Sequence, residues 1–166
     1  MDIDRLLDVA GGMLANWLTT RRDLHRPHAR PLPEAAIVGL RGWFADDLLA
    51  RARIREVAAI EQPEQLLALA RDAGLEVDFG PARGTAFVDT IVVLHGETAL
   101  DLIFHELVHV EQFERRGVEG FAEAYVRGWA AHGFAYSTIP LEAEAFALQR
   151  RFAAGERFVV GESLAG

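Results

Sequence analysis

One predicted helix, from residue 98 to residue 116, is apolar on nearly all of its sides. Its apolar residues fall on successive turns: Leu102, Ile103, Phe104, Leu107, Val108 and Val110. A helix of this kind is covered by other elements on every side, so the rest of the chain has to pack around it. The same helix contains His105, Glu106 and His109, which are costly to bury unless they have partners.

Composition narrows the class of protein. The 166 residues suit one domain with a real core, and 51% of them are hydrophobic, which argues against disorder. A net charge of -8 without a long basic run argues against nucleic acid or an anionic membrane as the main partner. The lack of cysteine excludes thiolate metal sites, so any metal is held by His, Asp or Glu. The chain shows neither a secretory signal nor a membrane span, and we expect a cytoplasmic protein.

The order of predicted elements indicates an α+β fold. Apolar spacing, proline starts and glycine ends predict helices at 3–22, after Pro33 (one helix, through position 49), 63–74, 98–116, 120–134 and from Pro140 to Gly155. Alternating apolar residues predict strands at 53–60, 75–79, 85–94 and 157–160. We therefore predict one domain over residues 1–166, with N-terminal helices in 1–52 and the core from about 53 to 155.

The spacing of the two histidines predicts a metal site. His105 and His109 are four residues apart, just over one helical turn, so both imidazoles project from one face. Glu106 lies about 100° round the helix from His105, so it reaches a water beside the metal more easily than the metal itself. This division suits a zinc hydrolase, in which the glutamate takes the proton of the water. The alternative is a helix whose histidines are hydrogen-bonded in the core.

A catalytic zinc site needs a third protein ligand and one position open to water. The sixth residue after His109 is Arg115, so a third histidine at that spacing is excluded. Glu142 and Glu144 are the acidic candidates downstream, and only one can face the metal because they are about 200° apart on a helix. We choose Glu142, which follows a proline-opened helix start between apolar residues. Glu144 remains the alternative ligand. For either glutamate the explanation without a metal is a carboxylate that the helix dipole favours near the helix N-terminus.

Tyr136 and His132 precede the helix that carries Glu142. Either can donate a hydrogen bond to the oxyanion of a tetrahedral intermediate, and Tyr136 is our candidate catalytic residue besides Glu106. The alternative is a packed loop tyrosine and a surface histidine. His25 and His28 lie in a proline-rich stretch, where we expect them to be exposed to solvent.

The segments HELVHVEQF, YVRGW and YSTIPLEAEAF together resemble the gluzincin type of zincin metallopeptidase, in which a glutamate on a later helix completes HExxH. The Glu-x-x-Ala pattern of that helix is matched by Glu142 and Ala145, whereas Phe146 stands where some families have aspartate. The segments TAFVDTIVVL and LIFHELVHVEQF more closely resemble the bacterial eCIS-core family, domain of unknown function 4157. The likeness covers about residues 40 to 150.

This resemblance implies a minimal zincin fold, with a small sheet whose edge strand lies beside the HExxH helix. It implies a zinc metallopeptidase in which His105, His109 and Glu142 hold Zn²⁺ and Glu106 is the general base. A peptide or protein substrate would then pair with strand 85–94 by β-augmentation, unless that strand is buried in the core. The alternative function is a catalytically inactive zinc-binding interaction or regulatory domain, and a metal-free domain is the third reading.

Overall fold

The computed structural model describes residues 3–77, 79 and 81–165, and its architecture is α+β, as predicted. The helices in these residues are α1 (Ile3–His25), α2 (Glu34–Leu40), α3 (Asp46–Arg51), α4 (Glu64–Asp72), α5 (Leu100–Ala131), α6 (Pro140–Ala153) and α7 (Val160–Ser163). The strands are β1 (Arg30–Pro31), β2 (Arg53–Val57), β3 (Gly84–Phe87) and β4 (Thr90–Leu94). Two short 3₁₀ helices, Arg26–His28 and Tyr136–Thr138, complete the described elements.

The sheet has the order β1-β2-β4-β3, with β2 and β4 parallel and the two outer pairs antiparallel. The prediction of one strand over 85–94 is wrong, because the chain reverses at Val88 and Asp89 and forms a hairpin. Val88 takes a positive φ of 61°, which a β-branched residue rarely adopts. The sequence therefore lacks the glycine or asparagine that normally marks such a turn. Within the described residues β4 lies inside the sheet, and β3 forms its edge.

Three other element predictions need correction. The single helix after Pro33 is two helices, α2 and α3, because the chain turns between them with Gly42 at a φ of 93°. No strand forms at 75–77 or at residue 79, and residue 78 lies outside the described residues. Residues 157–160 form no strand either. Val160 instead begins α7, and its backbone N–H donates to the carbonyl of Trp43 at 2.8 Å.

Helix α5 runs through the middle of the core, as its apolar surface predicts. The predicted stop at Gly117 appears as an interruption, because this residue has φ 70° and ψ 170° inside α5. Residues 100–116 and 118–131 are therefore two helical segments joined at a glycine. Helix α1 packs closely on the second segment, where a Cβ at Gly11 would lie 3.6 Å from Glu123 Cα.

A close approach between α5 and α6 positions the second ligand-bearing helix. A Cβ placed on Gly128 of α5 would lie only 2.6 Å from Cδ of Pro140, the first residue of α6. Farther along α6, Phe152 stacks on Phe104 of α5, with ring centroids 4.4 Å apart. These contacts hold both ends of α6 against α5. Among the described residues, no helix combines the length and the apolar character that crossing a membrane requires.

Candidate metal centre

Three buried side chains from α5 and α6 converge on one point. His105 Nε2 and His109 Nε2 are 3.1 Å apart, and Glu142 Oε2 lies 3.4 and 3.3 Å from them respectively. Zinc bonds of about 2.0–2.2 Å in a tetrahedron separate neighbouring ligand atoms by about 3.3–3.5 Å. The separations therefore approach those around a single ion, and the group His105, His109 and Glu142 could hold a metal.

The partner of His109 fixes which nitrogen faces the site. His109 Nδ1 lies 2.8 Å from Gln112 Oε1, while Gln112 Nε2 donates to the carbonyl of Leu141 at 3.1 Å and to Glu144 Oε2 at 2.9 Å. Because both latter atoms are acceptors, the amide of Gln112 has only one satisfactory orientation. His109 Nδ1–H therefore donates to Gln112, and the Nε2 lone pair points at the site.

The partner of His105 has the same effect. His105 Nδ1 lies 3.1 Å from Gln149 Oε1, and Gln149 Nε2 donates to Asp101 Oδ2 at 3.4 Å. The acceptor at Asp101 again orients the amide, so His105 Nδ1–H is the donor and Nε2 carries the lone pair. Such outer partners fix the tautomer and the ring orientation of histidines that bind metals.

Glu142 has one satisfied oxygen and one that is not. Tyr125 donates its hydroxyl hydrogen to Oε1 at 3.0 Å, whereas the buried Oε2 has no hydrogen-bond partner among the described residues. Burial and the charge of Glu142 raise the pKa of Tyr125, so the phenol remains a donor. A buried carboxylate oxygen beside two nitrogen lone pairs needs a cation or a proton.

The groups of the site shift the pKa values of His109 and Glu142 in opposite directions, and both shifts favour the charged form of the side chain. Burial lowers the pKa of His109, but Glu142, Glu106 and Gln112 together outweigh burial and raise that pKa to about 9. Burial likewise raises the pKa of Glu142, but the nearby His109 and His105 outweigh burial when they carry positive charge and bring that pKa well below its usual range. A proton and a metal ion therefore compete for the same three atoms.

Glu106 lies beside this group but is not part of it. The residue is 4% exposed, and within the described residues no hydrogen bond joins its carboxylate to another group. It lines a cavity of about 150 Å³ together with Arg83, Gly84 and His105. Burial raises the pKa of Glu106, although the charges of His109 and His105 partly oppose this effect.

The edge strand passes directly over Glu106. A Cβ at Gly84, the first residue of β3, would lie 3.0 Å from Glu106 Oε1, so glycine leaves room for the carboxylate. Of the predicted strand, only residues 85–87 belong to this edge, and β4 is paired on both sides. On its other side β3 pairs with no strand in the described part of the chain.

The structure separates the two candidate oxyanion donors. Tyr136 lines both cavities that flank the site. Burial and the nearby carboxylates of Glu142 and Glu106 raise the pKa of its phenol, which stays protonated. His132 is exposed, and its Nδ1 donates to the carbonyl of Gly128 at 2.7 Å. Tyr136 is therefore the candidate that faces the site.

Glu144, the alternative third ligand, points away from the two histidines. Its Oε2 accepts from Gln112, and its Oε1 accepts from the backbone N–H of Ala165 at 2.6 Å. Arg115, which excludes the third histidine, donates to the carbonyls of Leu164 and Gly161 and ties the C-terminal segment to α5.

The expectation that His25 is exposed is wrong. Helix α1 continues three residues past its predicted end, so His25 is buried and stacks on Phe87 with centroids 5.5 Å apart. Its Nε2 lies 3.2 Å from Glu61 Oε2, and its Nδ1 lies 3.0 Å from a guanidinium nitrogen of Arg55. His28 is exposed, as predicted.

Sequence reasoning missed three residues that position the ligands: Gln112, Gln149 and Tyr125. The sequence could have indicated two of them. Gln112 follows His109 by three residues and Gln149 follows Glu142 by seven, and residues at these spacings lie on the same face of a helix. Tyr125 reaches Glu142 only because Gly117 separates the two segments of α5 and α6 packs back on them. No local pattern indicates that contact.

Comparison with known protein families, curated proteins and solved structures found no match to this chain.

Proposed function

We propose that this protein is a zinc-dependent hydrolase that cleaves peptide bonds. The observation that carries the proposal is a group of three candidate protein ligands beside a cavity that is lined by His105 and by the buried carboxylate of Glu106. Structural zinc sites are closed by four protein ligands, whereas catalytic sites have three and leave one position open. The arrangement fits the catalytic kind.

The donor set fits zinc. Two imidazole nitrogens and one carboxylate oxygen are ligands that Zn²⁺ accepts, and the chain has no thiolate that would favour a softer metal. His105, His109 and Glu142 would hold the ion. When bound, zinc supplies a Lewis acid and lowers the pKa of a neighbouring water.

Each remaining residue has a task that its position allows. Glu106 takes the proton of the attacking water and passes it to the leaving nitrogen, since its carboxylate has no competing donor. Tyr136 donates its phenolic hydrogen to the oxygen that becomes negative in the transition state. Tyr125 holds Glu142 through Oε1 and leaves Oε2 for the metal. The unpaired edge of β3 offers backbone groups to an extended peptide.

The test combines metal content with hydrolysis of a mixture of fluorogenic peptides. We expect about one zinc per wild-type chain, retained in Glu106→Gln while hydrolysis falls by about 100-fold or more. Glu123→Gln makes the same change on the exposed face of α5, and it should leave both readings unchanged. Glu142→Ala should lose zinc, whereas Glu144→Ala should lose much less.

Three outcomes would contradict parts of the proposal. Wild-type protein that binds no zinc, after zinc is offered and excess is removed, would refute the metal site. Zinc binding without hydrolysis of any peptide would favour the inactive zinc-binding domain. Hydrolysis that survives Glu106→Gln would remove Glu106 from the role of base.

A further inference from the structure

A second cavity, of about 90 Å³, adjoins the metal group at His109 and Glu142, whereas Glu106 and His105 line the first cavity. His109 and Glu142 form one end of it, and Thr85 and Ala86 of the edge strand form one wall. A peptide lying along β3 would therefore direct a side chain into this cavity, because side chains of an extended strand alternate across its axis.

The walls of this cavity are mainly apolar. Helix α1 contributes Leu14, Trp17 and Leu18, and α5 contributes Phe121 and Tyr125. The wall on the α1 side is firmly placed, since Trp17 packs edge-on against Phe87 with ring centroids 5.3 Å apart. An apolar side chain in contact with these groups would be removed from water.

Outside the metal group, Glu61 is the one carboxylate that the described residues place on the cavity wall, and it does not make the cavity a site for a basic side chain. Glu61 lines the cavity, but its Oε2 lies 3.2 Å from His25 Nε2 and its Oε1 lies 3.5 Å from a guanidinium nitrogen of Arg21. Both carboxylate oxygens of Glu61 therefore already lie beside a cationic or donor group, so Glu61 would bind a substrate lysine or arginine only weakly.

The volume limits the size of the occupant. A closed apolar cavity of about 150 Å³ holds one benzene molecule. This cavity is smaller, at about 90 Å³, it is open on one side, and part of its space adjoins the metal ligands. Its volume suits a branched chain of three or four carbons better than an aromatic ring.

We infer that this cavity is the subsite for a branched aliphatic side chain, valine or leucine, of the peptide bound along β3. The inference rests on the proposed function, because it places the cavity beside the cleaved bond. We expect the apolar cavity to determine which substrate side chain is accepted. The cavity at Glu106 is lined by the polar groups of Arg83 and Gln149, so it should discriminate less between side chains of different shape.

Hydroxamic acids with different side groups test the subsite without relying on turnover. The hydroxamate binds a zinc ion, and the methyl, isobutyl or benzyl group probes the cavity. Calorimetric titration of zinc-loaded protein gives the dissociation constants. Each buried carbon is worth about fourfold in affinity, so we expect the isobutyl compound to bind at least tenfold tighter than the methyl compound. The benzyl compound should bind more weakly than the isobutyl compound.

Two variants on α1 form a matched pair. Leu14→Ala enlarges the cavity by three carbons and should reverse the order, so that the benzyl compound binds tightest. Leu7→Ala removes the same atoms two turns earlier, where Leu7 lines a separate cavity between α1 and α4, and it should preserve the wild-type order. Leu14→Val is the milder change if Leu14→Ala does not fold. It should reduce the difference in affinity between the isobutyl and the benzyl compound.

The outcomes separate the subsite from the proposed function. Equal affinities for the three compounds, or an order that Leu14→Ala and Leu14→Val do not alter, would overturn the subsite and leave the metal site intact. Failure of all three compounds to bind zinc-loaded protein would overturn both, because the site would then be closed to ligands. Failure to take up zinc would refute the proposed function, and the subsite with it.

Discussion

Gln112 is the residue whose substitution tests the site most sharply. Its amide is 1% exposed and links the two ligand-bearing helices, accepting from His109 and donating to Leu141 and Glu144. Gln112→Met has nearly the same volume but can neither accept the hydrogen of His109 nor donate to α6. Gln112→Glu preserves the acceptor for His109 and loses only the two donors.

The expected losses follow from counting the groups left without partners. Gln112→Met strands the buried Nδ1–H of His109, at about 1–3 kcal/mol, whereas the carbonyl of Leu141 lies inside α6 and keeps its helical hydrogen bond. The free energy of unfolding should therefore fall by about 1–3 kcal/mol, a substantial part of the usual 5–15 kcal/mol. Glu144 is omitted from this estimate because it also accepts from Ala165 and is partly exposed. Zinc affinity should fall by about 10- to 100-fold, because the ring of His109 is no longer oriented.

Gln112→Glu should separate the two effects. A carboxylate still accepts from His109 Nδ1–H, so zinc affinity should fall by less than about tenfold. The metal-free protein should be destabilised at least as much as Gln112→Met, since the new charge faces Glu144 and the carbonyl of Leu141. Gln149→Met is the matched control, because it removes the partner of His105. Gln149 is half-buried, so water can replace the lost partner, and zinc affinity should fall less than in Gln112→Met.

Urea unfolding of the metal-free proteins gives the stabilities, and competition with a chromophoric chelator gives the zinc affinities. If Gln112→Met and Gln149→Met weaken zinc binding equally, burial of the outer partner has no effect on zinc affinity, contrary to this prediction. If Gln112→Glu binds zinc as poorly as Gln112→Met, orientation of His109 is not the cause of the loss.

Three further predictions follow from the same structure. A chelator should lower the unfolding temperature of zinc-loaded protein in calorimetry, because zinc at 100 times its dissociation constant stabilises the fold by about 2.7 kcal/mol; an unchanged temperature would contradict the site. In urea unfolding, Gly128→Ala should destabilise the protein by about 1–3 kcal/mol, since the new Cβ would lie 2.6 Å from Pro140. Gly12→Ala, whose Cβ would meet nothing within 4 Å, should stabilise the protein by about 0.5–1 kcal/mol. Tyr125→Phe should weaken zinc binding by about tenfold in the chelator assay, because Glu142 loses the donor that orients it, and a wild-type affinity would show that packing alone suffices.

The parts of the fold that sequence predicted are those with local causes. The apolar surface of residues 98–116 requires a central helix, and the four-residue spacing of His105 and His109 places both rings on one face. Gly117 supplies the backbone conformation that interrupts α5, and Pro140 opens α6. Each of these features depends on residues that are near one another in the sequence, so it can be predicted without knowing the tertiary structure.

The parts that sequence missed depend on distant segments. The hairpin between β3 and β4 turns at Val88, whose positive φ is imposed by the pairing of the two strands and not by its own preference. His25 is buried because Glu61, Arg55 and Phe87, all more than 25 residues away, surround it. Tyr125 reaches Glu142 in the same way. Contacts of this kind leave no periodic trace in the sequence.

Glu106 is the feature that favours a hydrolase over an inactive metal-binding domain. The inward-facing groups around the metal position have fixed partners: Gln149 for His105, Gln112 for His109 and Tyr125 for Glu142. Of the four acidic and histidine side chains at the site, Glu106 is the one with no side-chain hydrogen bond in the described part of the chain, and its burial disfavours the charged carboxylate. A domain that used metal only to hold its fold would gain from an apolar side chain at this position, and it would have no need of a glycine at position 84 to make room. An unsatisfied group that the surrounding chain accommodates is expected where the group acts on a substrate.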